Sequence, residues 1–145
     1  MDVQWSYELE TGFEEIDNQH KELIKKLNEL FEAMGKFYHK EEAIQGITVF
    51  LSEYVTYHFK SEEALMEKYD YPGMELHKIE HNLLTKSVMD FQQHLNEKGL
   101  SIACLAKIQS FLINWFVNHV QQVDKLLAAF LKEAKAKESL SITGK

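Results

Sequence analysis

Cysteine occurs once in the 145 residues, at Cys104, which excludes an internal disulfide framework and suits a reducing compartment. Proline also occurs once and glycine six times. No alternating apolar and polar run of useful length is present, so the pattern of a β-rich domain is missing. No apolar run approaches the ~20 residues that span a bilayer, and the opening MDVQWSYELETGFEEIDNQH lacks the layout of a secretory signal. Basic excess is absent as well: a net charge of −7 offers no electrostatic footprint for nucleic acid. These absences leave a small acidic protein, expected in the cytoplasm without a nucleic-acid or membrane partner. Its length is that of about one domain, and no second, output domain is expected.

What the chain does have is helical periodicity. Ile16, His20, Leu23, Leu27, Leu30, Met34 and Phe37 mark one stripe, and Ile44, Ile47, Leu51, Tyr54, His58, Glu62, Leu65 and Tyr69 a second. Met74, His77, His81, Leu84, Val88, Phe91 and Leu95 mark a third. Leu105, Ile108, Leu112, Trp115, His119, Val123, Leu126 and Phe130 mark a fourth. The breaks between them are short: residues 35–40, Asp70-Tyr-Pro-Gly73, and Asn96-Glu-Lys-Gly99, followed by Ser101 as an N-cap. Long amphipathic helices on short connections predict an all-α, up-down-up-down four-helix bundle. Residues 1 to about 12, with Trp5, are expected to form an extended arm. A bundle over 1–133 and a polar tail over 134–145, frayed from about Ser139, complete the expected organisation.

Five of the seven histidines and two carboxylates carry the chemistry. In order they are His20, His58 with Glu62, His77 with His81, and His119 with Asp124. Side chains four apart share one helix face, and burying such pairs is costly unless something binds them. In the expected bundle all seven fall at one end and on, or at the edge of, the apolar stripes. Convergence of that kind points to a metal centre. His39 and His94 fit no convergent pattern and are expected at the surface. Asp124 is the irregular member, since five residues turn a regular helix by about 140° from His119. It falls with Phe116, Val120 and Leu127 on the neighbouring edge, where it either reaches across to a second metal or is brought round by a π-bulge.

Donor arithmetic narrows the chemistry. Five imidazoles and two carboxylates exceed one site, and this donor set suits several first-row metals, iron among them. With two octahedral irons, a bridging oxygen and two bridging carboxylates, one position stays open, on the ion with two histidines. Such a centre binds one small molecule end-on.

The order His…His-x-x-x-Glu…His-x-x-x-His…His-x-x-x-x-Asp resembles the hemerythrin family, specifically its stand-alone bacterial members. Thr11-Gly12, Ile16-Asp17-Asn18-Gln19-His20, His58-Phe59-Lys60-Ser61-Glu62-Glu63-Ala64-Leu65-Met66, Tyr71-Pro72 and Trp115-Phe116-Val117-Asn118-His119 support it. The match runs from about Trp5 to Phe130. The resemblance implies two non-haem irons bridged by an oxo or hydroxo group, Glu62 and Asp124, binding O₂ reversibly as hydroperoxide. It places His77, His81 and His119 on the saturated iron and His20 and His58 on the open one. Leu23, Phe59, Trp115, Phe116 and Val120 would surround the bound O₂, in a dry pocket that slows irreversible oxidation.

Three classes of function are compatible with these residues: an O₂ carrier or store, a sensor, and a di-iron oxidase, peroxidase or nitric-oxide-handling enzyme. Histidine-rich ligation with four-residue spacing favours the carrier, because oxidative and iron-storing bundles use carboxylate-rich Glu-x-x-His pairs. The expectation is therefore a non-enzymatic, monomeric O₂-binding protein, and the sequence identifies no protein recipient for its O₂.

Overall fold

The computed structural model describes residues 3–35, 40–99 and 101–143. His39 and Phe37 lie outside them. Helix α1 spans Glu14–Met34, α2 Lys40–Lys68 and α3 Met74–Lys98. A fourth rod is built from α4 (Ile102–His119), a π-helical turn (Val120–Asp124) and α5 (Lys125–Thr143). Together these form a four-helix bundle. The start of α2 meets the end of α3 through Gln45 and Asn96, as antiparallel neighbours require.

The helix ends have local causes. Asp17 gathers the turn before α1, accepting from the Thr11 amide (2.9 Å), the Thr11 hydroxyl (2.7 Å) and the Gly12 amide (3.0 Å). Glu14, Glu15 and Asp17 also place negative charge on the first turn, where the helix dipole favours it. Helix α2 stops where Asp70 takes a left-handed φ of 54°, and the Tyr71 amide closes back onto Met66 O at 2.9 Å. Ser101 caps α4 by accepting from the Cys104 amide at 3.1 Å.

The N-terminal segment is not extended throughout. Its backbone turns as a 3₁₀ helix over Tyr7–Leu9, and Val3 and Leu9 are buried. Asn28 ties Val3 down in both directions, accepting from its amide at 2.9 Å and donating to its carbonyl at 2.8 Å. Val3 and Leu9 enter the core and Trp5 packs against it, so the segment lies against α1. The far end also differs from expectation: α5 stays helical through Thr143 and does not fray from Ser139. Its Lys, Ala, Glu and Leu residues favour helix, and the Tyr69 hydroxyl donates to Glu138 at 2.8 Å.

The fourth stripe needs a correction beyond His119. Regular periodicity puts Val123, Leu126 and Phe130 inward. The structure instead buries Asp124, Leu127, Ala128 and Leu131 and leaves Leu126 65 % exposed. The π turn absorbs one extra residue, so every later position shifts by one. A paired substitution tests this register. Leu127→Ala is expected to cost about 2–5 kcal/mol, as for other buried leucines. Leu126→Ala is expected to stay within about 0.5 kcal/mol. Chemical denaturation measures both, and equal losses would contradict the shifted register.

The core is divided. A large cluster runs from Val3 and Leu23 to Phe116 and Val120, and a small one contains Phe13, Ile16, Met66, Leu127, Ala128 and Leu131. A polar layer lies between them: Ile16 is one turn before His20, and Met66 one turn after Glu62.

Candidate metal centre

That layer holds the seven groups singled out by spacing. His20, His58, Glu62, His77, His81, His119 and Asp124 are each at most 3 % exposed. His20 comes from α1, His58 and Glu62 from α2, His77 and His81 from α3, His119 from the end of α4 and Asp124 from the π turn. His94, on α3, stands apart from them, among the residues of a surface groove with Asp90 and Lys107.

Every imidazole turns Nε2 toward a carboxylate. His20 lies 2.8 Å from Asp124 Oδ2 and His58 2.7 Å from Glu62 Oε1. His77 is 3.0 Å from both Glu62 Oε2 and Asp124 Oδ1, His119 3.0 Å from Asp124 Oδ1, and His81 3.3 Å from Glu62 Oε2. Asp124 reaches this layer because the π turn rotates it onto the His119 face.

The opposite edges of three rings decide what lies between. His58 Nδ1 is 2.6 Å from Gln19 Oε1, His81 Nδ1 3.1 Å from Glu63 Oε2, and His119 Nδ1 2.9 Å from Glu80 Oε1. An oxygen there accepts, so the ring proton sits on Nδ1 and Nε2 presents a lone pair. Lone pairs then face carboxylate oxygens at close range. Both oxygens of Glu62 and of Asp124, and Nε2 of His20, His77, His81 and His119, have no hydrogen-bond partner. Buried groups in that state need either a proton or a cation between them.

The donor atoms divide into two sets. One comprises His77, His81, His119, Glu62 and Asp124; the other comprises His20, His58, Glu62 and Asp124. In each set the atoms lie within 4.8 Å of one another, and both carboxylates belong to both. Such an arrangement fits two metal ions with shared carboxylates.

In the metal-free protein, protons take the cation's part. Burial works to lower the pKa of His20 and of His77, but Asp124 and Glu62 outweigh it and raise each from 6.5 to about 9. His119 is raised against the same burial by Asp124 and by Glu80. Burial works to raise Glu62 and Asp124, and the surrounding imidazoles hold both carboxyls well below the usual range. The raised histidines stabilise the fold fully below pH 6.5, and this is lost as pH rises through about 9. The lowered carboxyls stabilise it above their ordinary values of 4.5 and 3.8, and this is lost as pH falls. The thermal midpoint of chelator-treated protein is therefore expected to fall from pH 6.5 to pH 9. Metal loading replaces those protons and should release them and flatten the profile. Melts of the two forms across that range check this; parallel profiles would contradict it.

Beside the layer lies a cavity of about 20 Å³, close to the size of one water. Leu23, Phe59, Trp115, Phe116 and Val120 all line it, with Leu27, Leu51, Val55, Leu84, Val88 and Leu112 beyond them. His20 and His58 border it, as do His119 and Asp124; His77 and His81 do not. Two aromatic rings also brace the histidines: Phe59 stacks on His81 at 3.7 Å and Trp115 on His119 at 4.3 Å.

Spacing along the chain did not single out Gln19, Glu63 or Glu80. Each is the sequence neighbour of a residue in the layer, and each reaches a histidine on the next helix. A polar residue adjoining a ligand position was the available signal.

Comparison with known proteins agrees with this geometry. Residues 11–131 match the family model of the hemerythrin HHE cation binding domain. The bacteriohemerythrin of Clostridium acetobutylicum is 30 % identical over 126 residues, covering 83 % of this chain and 95 % of the relative. That of Methylococcus capsulatus is 34 % identical over 112 residues, covering 76 % and 81 %. A crystal structure of wild-type hemerythrin superposes with a TM-score of 0.80 at 30 % identity, covering 89 % of this chain and 97 % of the other. A family whose members bind a di-iron centre thus matches a chain whose buried layer is able to hold metal ions. The chain belongs to the hemerythrin family.

Proposed function

We propose that this protein binds O₂ reversibly at a di-iron centre, as a carrier or store. His77, His81 and His119 would hold one iron, His20 and His58 the other, and Glu62 and Asp124 would bridge them. The observation that carries the reading is an imbalance. Two donor sets share both buried carboxylates, and the set poorer in imidazole has both of its histidines on the apolar cavity. When bound, the iron pair would supply the electrons and the Lewis acidity for O₂ binding.

The chain's own residues do the rest. Glu62 and Asp124 neutralise charge between the two sets and keep the layer together from two different helices. Phe59 and Trp115 hold the His81 and His119 rings by stacking, so those imidazoles cannot swing out. Leu23, Phe116 and Val120 keep water from the His20 and His58 side, which borders the cavity. A charged oxygen species gains little by leaving into an apolar space, so a dry wall favours release of neutral O₂.

The test is direct. Protein reconstituted with ferrous iron should hold two irons per chain, and its optical spectrum should cycle repeatedly between air and vacuum. One iron per chain, or an irreversible change on the first exposure, would refute the carrier reading. Sustained O₂ consumption with an added reductant would point to the oxidase.

A further inference from the structure

Gln19, Glu63 and Glu80 follow one rule. Each stands beside a residue of the metal layer on its own helix: Gln19 beside His20, Glu63 beside Glu62, Glu80 beside His81. Each accepts from Nδ1 of a histidine on the following helix: α1 supports His58, α2 supports His81 and α3 supports His119. The three supports are not chemically equal. His81 and His119, in the richer donor set, lean on carboxylates. His58, in the poorer set, leans on a neutral amide. One histidine of each set, His20 in the poorer and His77 in the richer, has no hydrogen-bond partner at Nδ1, so the difference between the sets lies in His58 against His81 and His119.

A carboxylate accepting from Nδ1–H draws the ring toward imidazolate character and makes Nε2 a stronger donor, and an amide oxygen does so much less. From this asymmetry we infer that Glu63 and Glu80 are positioning residues that set the redox order of the two irons. They stabilise the ferric state on the His77, His81 and His119 side, leaving the His20 and His58 side the easier to reduce. That side borders the cavity, so the ion kept ferrous longest is the one reached by the incoming ligand. The inference rests on the di-iron reading above.

Glu63 and Glu80 are 26 % and 40 % exposed, so substitutions there leave the bundle packing alone. The experiment compares Glu63→Gln, Glu80→Gln and Gln19→Glu with the parent and with Glu75→Gln, an exposed carboxylate on α3. Iron per chain is counted in each sample, and the one-electron potentials are measured by spectroelectrochemistry. Zinc affinity of Glu80→Ala and Glu80→Gln is measured in parallel. Glu63→Gln and Glu80→Gln should raise the potential of the step assigned to the richer side, and Gln19→Glu should lower the other. Glu75→Gln should move neither. Glu80→Ala should lose zinc affinity by about 10- to 100-fold, with Gln restoring most of it, because the amide still orients the ring. Two irons per chain with unmoved potentials in Glu80→Gln would overturn the inference and spare the di-iron reading. An equal shift in Glu75→Gln would reduce it to general surface charge. Fewer than two irons in the parent would instead remove the reading beneath it.

Discussion

Glu62→Ala is expected to empty both donor sets at once. Glu62 is fully buried, with Oε1 2.7 Å from His58 and 3.7 Å from His20, and Oε2 within 3.0 Å of His77 and 3.3 Å of His81. It is therefore in reach of four of the five imidazoles. Its loss removes a shared donor and half of the negative charge that offsets two cations. Asp124→Ala should act likewise from the other side, because Asp124 lies within 3.0 Å of His20, His77 and His119. Both variants should be purified with most of their iron missing. Their thermal midpoints should also become insensitive to chelator, since metal bound only to the folded state no longer adds to its stability. His94→Ala, distant from the layer, should keep the parent's iron and its chelator sensitivity. Iron analysis and melts with and without chelator decide the matter. If either carboxylate variant retained two irons and the parent's absorption, its shared position would be structural only.

The burial of seven polar side chains in one layer was legible because it depends on two quantities the sequence states outright. One is the four-residue spacing that puts a pair on one helix face. The other is the shortness of Asp70-Tyr-Pro-Gly73 and its counterparts, which forces successive helices to run back along each other. Together these set both the level and the face of His20, His58, His77, His81 and His119. Asp124 was legible only as an anomaly. Its five-residue offset admitted two geometries, and the π turn over Val120–Asp124 is the one found. That choice brings Asp124 beside the imidazoles of His20, His77 and His119, the first two of them on other helices. Its downstream effect, exchanging Leu126 for Leu127 in the core, followed from that choice. Gln19, Glu63 and Glu80 escaped because their partners are on other helices, 39, 18 and 39 residues away. No periodicity within a helix encodes such a pair. Val3, Trp5 and Leu9 show the converse limit, where a few apolar residues without helical or strand spacing decide how a segment packs.

Phe116→Ala is expected to shorten the life of the oxygenated protein while sparing its iron. Phe116 is buried and lines the cavity, meeting the His20 ring edge-on at 5.7 Å and 84°. Phe59 and Trp115 line the same space, but they stack on His81 and His119, so removing either would disturb a histidine as well as the wall. Phe116 meets His20 only edge-on, without stacking, so its removal acts more on the wall than on a histidine. Deleting a buried phenyl typically costs about 3–5 kcal/mol when the site does not collapse. The space it leaves joins a cavity already close to the size of one water, next to His20, His58 and Asp124. Water settles where at least two polar partners are in reach, and here the layer supplies them. On the proposed O₂-binding reading, solvent beside His20 and His58 would stabilise a charged oxygen species as it departs, so irreversible oxidation should accelerate. Phe116→Leu, which restores most of the apolar volume, should return the decay toward the parent rate. The measurement is decay of the oxygenated spectrum in all three proteins at equal temperature and pH, with iron content and thermal midpoint taken on the same samples. A parent-like decay in Phe116→Ala, with the fold and both irons intact, would place the water barrier on other residues of the wall.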